Sequence, residues 1–155
     1  MKNNDIAKLA NELTYHRYMI NQKQAQTLFK DMTISEYIAL HSLLGSLSEG
    51  DGTGKAYLKD IADRLGISIT AASKMAGELR DKGMVLWEHD GNGSEGTYLT
   101  VTESGIKLIE KQQDILKHYY GKIIDSFGED NLNLLLQLME KLENVIDDEL
   151  GAEEQ

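Results

Sequence analysis

Apolar residues recur along this chain at two spacings, and the switch between them marks its elements. From about Asn4 to Lys30 they fall at Ile6, Leu9, Ala10, Leu13, Ile20 and Leu28, which predicts one long helix. Thr33 opens "TISEYIALHSLLGSL", where Thr33 and Glu36 have the spacing of a capping box and Ile34, Tyr37, Ile38, His41 and Leu44 share a face. "SEGDGTGK" (48–55) reads as a flexible connection. Leu58–Leu65 and Ser68–Lys82 are two short amphipathic helices joined by Gly-Ile-Ser. Gly83 is placed as a helix-ending glycine. Beyond it the period shortens to that of strands: "MVLWEHD" and "TYLTVT" flank "GNGSEG", a β-hairpin with a glycine-rich tip. Two long helices complete the chain, about Glu103 to Phe127 and about Asp130 to Leu150, with Gly128 as the break and "GAEEQ" as a frayed end.

The middle segment obeys the steric rules of a helix-turn-helix. Ile61 and Leu65 are the expected core contacts of its first helix, and Ala62 is small where the second helix crosses. Gly66 suits the left-handed conformation that turns the chain, Ile67 is expected to plug the corner, and Ser68 is a good N-cap. Ala72, Met75, Ala76 and Leu79 form the inward stripe of the second helix. Ile69, Thr70, Ser73, Lys74 and Gly77 are left outside, with Ala71 at the edge. That opening turn is nearly free of bulk, as a helix must be to lie against something wide and flat. A packing-only helical hairpin would also tolerate small residues. The helix-helix-strand-tip-strand order favours a winged helix, whose recognition helix uses its N-terminal residues on base edges in the major groove. The chain is therefore expected to be mostly α with a small β-hairpin wing (α+β). It would comprise a winged helix-turn-helix DNA-binding lobe over 33–102 and a helical dimerisation region formed by 1–32 and 103–155.

Charge complicates that picture. The 155 residues carry a formal net charge of −10, unusual for a nucleic-acid partner. Its distribution is uneven: residues 1–56 are neutral, 57–102 carry −2, and 103–155 hold five bases against thirteen acids. The acid lies mainly away from the helix-turn-helix. Absence of cysteine excludes disulfides and thiolate metal sites within the chain. No apolar run is long enough for a membrane span and the opening residues lack a signal-like apolar stretch, so a cytoplasmic protein with no membrane partner is expected.

In three stretches the sequence resembles the MarR (multiple antibiotic resistance regulator) family of bacterial transcription factors. These are "TISEYIALHSLL", "LKDIADRLGISITAASKMAGELRDKGMV" and "YLTVTESGIKLIE". The family's LTxxGxxL element is matched in part by Leu99, Thr100, Val101, Thr102, Glu103, Ser104, Gly105 and Ile106. The resemblance implies a homodimer held by its first and last two helices. One winged helix per subunit would meet a palindromic double-stranded DNA operator, and a small molecule would alter their spacing. Implied DNA contacts are Ser68, Ile69, Thr70, Ala71, Ser73 and Lys74, with Asn92 and Ser94 in the wing. The family's wing usually carries Asp-x-Arg; here "EHDGNGSEGTYLT" keeps Asp90 but contains no Lys or Arg. A winged helix that works mainly through protein contacts is the alternative.

Other candidate chemistry is sparse. "GDGTGK" (50–55) has the wrong glycine spacing for a phosphate loop, and Ala56 stands where magnesium would need Ser or Thr. His16, His41, His89 and His118 show no pair three or four apart, so no metal site is expected, and His41 is expected to be a core histidine. Tyr15, Tyr18, Met19, Tyr37, Trp87, Tyr119 and Tyr120 fall on elements that the resemblance brings together. Tyr15, His16, Tyr37, His41 and Trp87 are the candidate lining of a pocket for a small aromatic effector, against the alternative of an ordinary aromatic core. No nucleophile–base pair or paired-carboxylate pattern emerges, so no enzyme and no cofactor are expected.

Overall fold

The computed structural model describes residues 1–49, 55–91 and 93–153. Its elements run α1 (Asn3–Thr27), α2 (Ile34–Glu49), β1 (Lys55–Tyr57), α3 (Leu58–Leu65), α4 (Ile69–Asp81), β2 (Val85–His89), a short 3-10 turn (Gly93–Gly96), β3 (Thr97–Val101), α5 (Glu103–Phe127) and α6 (Glu129–Glu153). This is the expected helix-rich winged helix. The chain divides into two compact units, Met1–Gln113 and Asp114–Gln155.

In the first unit, α3 and α4 form the helix-turn-helix through local rules. Gly66 takes φ 64° and ψ 35°, and its N–H and that of Ile67 bond back to Asp63 and Ala62 carbonyls, closing a Schellman motif. The Ser68 side chain then accepts from the Ala71 N–H at 3.1 Å, capping α4. Gly83, at φ 76°, ends α4 with a second such motif: its N–H bonds to Arg80 and the Met84 N–H to Leu79. Ala72, Met75, Ala76 and Leu79 are the buried residues of α4, as expected, and pack with Leu58, Ile61 and Ala62 of α3. Ile67 does not plug the corner. It is 36% exposed, while Leu58 and Ile61 of α3 enter the core and Leu65 is partly buried against it.

Three further expectations differ from the structure. On α2 the buried side is Glu36, Ala39, Leu40 and Leu43, and His41 is exposed rather than in the core. Apolar residues surround that helix on every side, so its sequence period does not fix which face turns inward. The sheet has three strands rather than the two of a hairpin. β3 lies between β1 and β2, antiparallel to both, with Ala56 and Trp87 opposite Leu99. Three residues are too few to show a period, so β1 was hidden at the end of the 48–55 connection. α6 also runs on through Gly151 and Ala152, where fraying was expected.

A knot of bonds around Thr102 ties α4, the sheet and α5 together. The Thr102 hydroxyl donates to the Gly83 carbonyl at 2.6 Å and accepts the Gly105 N–H at 3.1 Å, while the Thr102 N–H reaches the Met84 carbonyl at 3.0 Å. Gly105 is buried against this turn. A Cβ there would stand 2.3 Å from the Met84 carbonyl oxygen and 2.7 Å from Val101 Cγ2, with backbone on one side that cannot step aside. One turn further, Ile109 is fully buried among Leu43, Leu79 and the rest of the core. Gln112 follows on the same side, buried, donating to the Leu28 carbonyl at 2.8 Å. Gly105→Ala is therefore expected to destabilise the lobe by about 3 kcal/mol through overpacking, read from urea unfolding. A change below 0.5 kcal/mol (about the scatter of an exposed site) would contradict this packing.

Candidate nucleic-acid interface

The outer side of α4 carries the chemistry. Ile69, Thr70, Ala71 and Lys74 are exposed and Ser73 and Gly77 half-buried, on a helix whose opposite stripe is sealed in the core. All six predicted residues of the opening segment, Ser68 included, lie together on the surface of one helix N-terminus. The helix dipole adds positive potential at that end, of the order of half a charge. Lys74 is the cation of the first two turns. Further along, the Arg80 guanidinium lies 5.4 Å from the centre of the Trp87 ring. Trp87 itself rests beside Gly77, 3.9 Å from where a Cβ would be, so the wing root packs against the outer side of α4.

The wing is fastened by acids and tyrosines. Tyr98 donates to Glu88 at 2.8 Å and Tyr57 to Asp90 at 3.0 Å, and the two rings meet edge to face at 5.8 Å. Lys55 sits over the Tyr98 ring, 4.6 Å from its centre. The bond to Glu88, then burial, then the nearby negative charges push the Tyr98 hydroxyl above its ordinary pKa, so it remains a donor. At the tip, His89 accepts the Gly91 N–H at Nδ1 (2.9 Å), and its Nε2 bonds the Gly93 carbonyl. Asn92 lies outside the described residues, as does the 50–54 part of the glycine-rich loop. Ser94 falls in the 3-10 turn.

The five candidate effector residues occur in three places. Tyr15 and His16 are exposed on α1 with rings 5.4 Å apart. Tyr37 lies between Phe29 at 5.8 Å and His41 at 5.9 Å, and Trp87 belongs to the wing root. Burial pushes the Tyr37 hydroxyl upward in pKa, partly offset by its bond to Gln113. Separately, a cleft of about 430 Å3 opens at the α1–α2 junction, lined by Phe29, Met32, Thr33, Glu36 and Lys82 among others. It includes none of the five. Among the described residues no three His, Asp or Glu side chains gather as metal ligands.

Sequence reasoning missed the contact that holds the far end of α4. Thr33 caps α2 as expected, accepting the Glu36 N–H at 3.1 Å. The Glu36 carboxylate, however, is almost fully buried and bonds Lys82 Nζ at 3.1 and 3.4 Å instead of completing a capping box. Forty-six residues separate the two, beyond any local motif. Gln112 did leave a signal, as a polar residue in phase with Gly105 and Ile109.

No sequence-family profile matches the chain. No curated protein matches it by sequence either. Solved structures do. A MarR family protein from Bacillus stearothermophilus aligns over 94% of this chain and 98% of its own, with a TM-score of 0.64 and 16% identity. A mutant MarR from E. coli complexed with operator DNA covers 90% and 96%, at 0.70 and 19%. BpsR from Bordetella bronchiseptica, whose DNA binding is regulated by 6-hydroxynicotinic acid, covers 86% and 91%, at 0.69 and 16%. The chain has the winged-helix fold of MarR-type regulators.

Lys82→Met would strand the Glu36 carboxylate and is expected to cost about 2 kcal/mol in urea unfolding. Adding Glu36→Gln should recover part of that loss. If the effects of the two single substitutions simply add in the double variant, the pair does not stabilise this end of α4.

Proposed function

We propose that this chain is a DNA-binding transcriptional regulator of MarR type. In this reading it binds a palindromic operator as a homodimer and is a repressor released by a small aromatic ligand. The observation that carries the reading is the division of α4: one stripe wholly in the core, the other presenting Ile69, Thr70, Ala71, Ser73 and Lys74 to solvent at a capped N-terminus. Small side chains admit the backbone to the major groove, Lys74 meets a phosphate or guanine, and Asn92 and Ser94 supply uncharged partners for the DNA backbone. Structural likeness to an operator-bound protein adds support. Residues 1–32 and 103–155 form the dimerisation region and 33–102 the DNA-binding lobe. No helix among the described residues is long and apolar enough to cross a membrane, in keeping with work in the cytoplasm.

Support for self-association comes from apolar side chains left in water. Leu135, Leu138, Met139, Leu142, Val145 and Ile146 are all exposed at helical spacing on α6, and Ile6, Leu9 and Leu13 on α1. The effector site is assigned to Tyr15, His16, Tyr37, His41 and Trp87, by their aromatic and polar chemistry and the likeness to a protein regulated by a hydroxylated aromatic acid.

Selection of bound duplexes from a random pool tests the reading, followed by titration at several salt concentrations with and without hydroxylated aromatic acids. A symmetric selected site and a negative salt slope are expected. Salt-insensitive or unselective binding at low micromolar protein would favour action through protein contacts, and an unmoved titration would remove the effector. Lys74→Ala is expected to flatten the slope by about 0.9 for each phosphate that a subunit no longer neutralises. An unchanged slope, with affinity reduced at one base position, would assign Lys74 to guanine. Leu142→Glu should convert a sedimenting dimer to monomer by placing a charge in an apolar seam. A wild-type monomer at micromolar concentration would refute the dimer.

A further inference from the structure

Ile69 stands out on the presenting face. It is the first residue of α4, immediately after the Ser68 cap, and is 51% exposed, whereas the residues around it on that face are small or polar. Helical side chains lean toward the N-terminus, so its branched side chain projects from the leading edge of the helix. Being β-branched, it has one strongly favoured rotamer there and loses little freedom on contact. Ser73, one turn later on the same side, adds no bulk beside it.

Only one group that base pairs display in the major groove is apolar, the 5-methyl of thymine. The other edges offer donors and acceptors that an isoleucine would strip of water without replacing. We propose that Ile69 is a specificity-determining residue that packs on a thymine methyl in each operator half-site. This rests on the reading of α4 as the recognition helix. Contact removes from water two apolar surfaces that each remain hydrated when apart, and cytosine at that position would leave a gap.

The test uses the full chain and the site obtained by selection. Each thymine is replaced singly by deoxyuridine, which deletes the methyl and preserves every hydrogen-bonding group. For the wild-type chain, one thymine per half-site is expected to lose about fourfold in affinity, the factor equivalent to about 0.8 kcal/mol for a buried methyl. Replacing both should cost about sixteenfold. Ile69→Ala should bind thymine and deoxyuridine sites equally, and Ile69→Val should keep most of the difference. Comparing two DNAs on one protein cancels any effect of the substitution on folding. A selected site indifferent to every methyl deletion overturns the assignment while leaving α4 as the reader. So does a methyl effect that persists undiminished in Ile69→Ala. Absence of any selective site overturns the regulator reading and this one with it.

Discussion

The lobe depends on how closely α5 can approach the turn that ends α4. Thr102 uses its hydroxyl twice, donating to Gly83 and accepting from Gly105, and its own N–H reaches Met84. The turn at 83–84 and the head of α5 thereby share one residue's polar groups. Gly105 is the steric half of the same constraint, because no side chain fits between α5 and the Met84 carbonyl. Once that distance is set, Ile109 enters the core and Gln112 reaches the Leu28 carbonyl at the end of α1. The Gln112–Leu28 bond contributes about 1 kcal/mol, but leaving its buried groups unpaired would cost more. The arrangement is therefore held as much by the penalty for breaking it as by its contacts.

A second constraint governs α4. Its core stripe alternates alanine with methionine and leucine, so the helix sinks close to α3 at Ala62 while Met75 and Leu79 supply volume. Small residues serve the opposite side as well, since Thr70, Ala71 and Ser73 keep the outer surface low. The two ends are fixed by different means. Ser68 caps the front with a local bond, whereas Lys82 at the rear is tied to a carboxylate on α2. Glu36 lines the α1–α2 cleft, so the same carboxylate links that cleft to the last turn of α4.

What was legible in the sequence was local. Gly66, Ser68 and the 72–75–76–79 stripe are set by neighbours within a few residues, and the structure places each as expected. The start and end of α5 were legible for the same reason. Failures came where local signals were degenerate or absent. The phase of α2 could not be read from a helix apolar all round, which misplaced His41. Ile67 stays partly exposed at the corner, a degree of burial that spacing does not decide. β1 was too short to register, and the Glu36–Lys82 pair joins distant parts of the chain. For the candidate site, the outward face of α4 was readable by subtraction from its buried stripe. The effector residues rest on side-chain type and on elements that the family resemblance brings together, and the structure distributes them over α1, α2 and the wing root.

Under the proposed function, the wing's composition shapes how a target would be found. The Glu88 and Asp90 carboxylates are tied to Tyr98 and Tyr57, and no lysine or arginine follows Trp87 before the end of β3. For a reader of DNA, grip on anonymous duplex comes from cations that displace counterions, and this surface offers few of them. Acting as proposed, the chain would slide only briefly on the wrong sequence and would arrive mainly from free solution. Its discrimination would lie in fit rather than in charge, and crowding by bulk genomic DNA would sequester little of it.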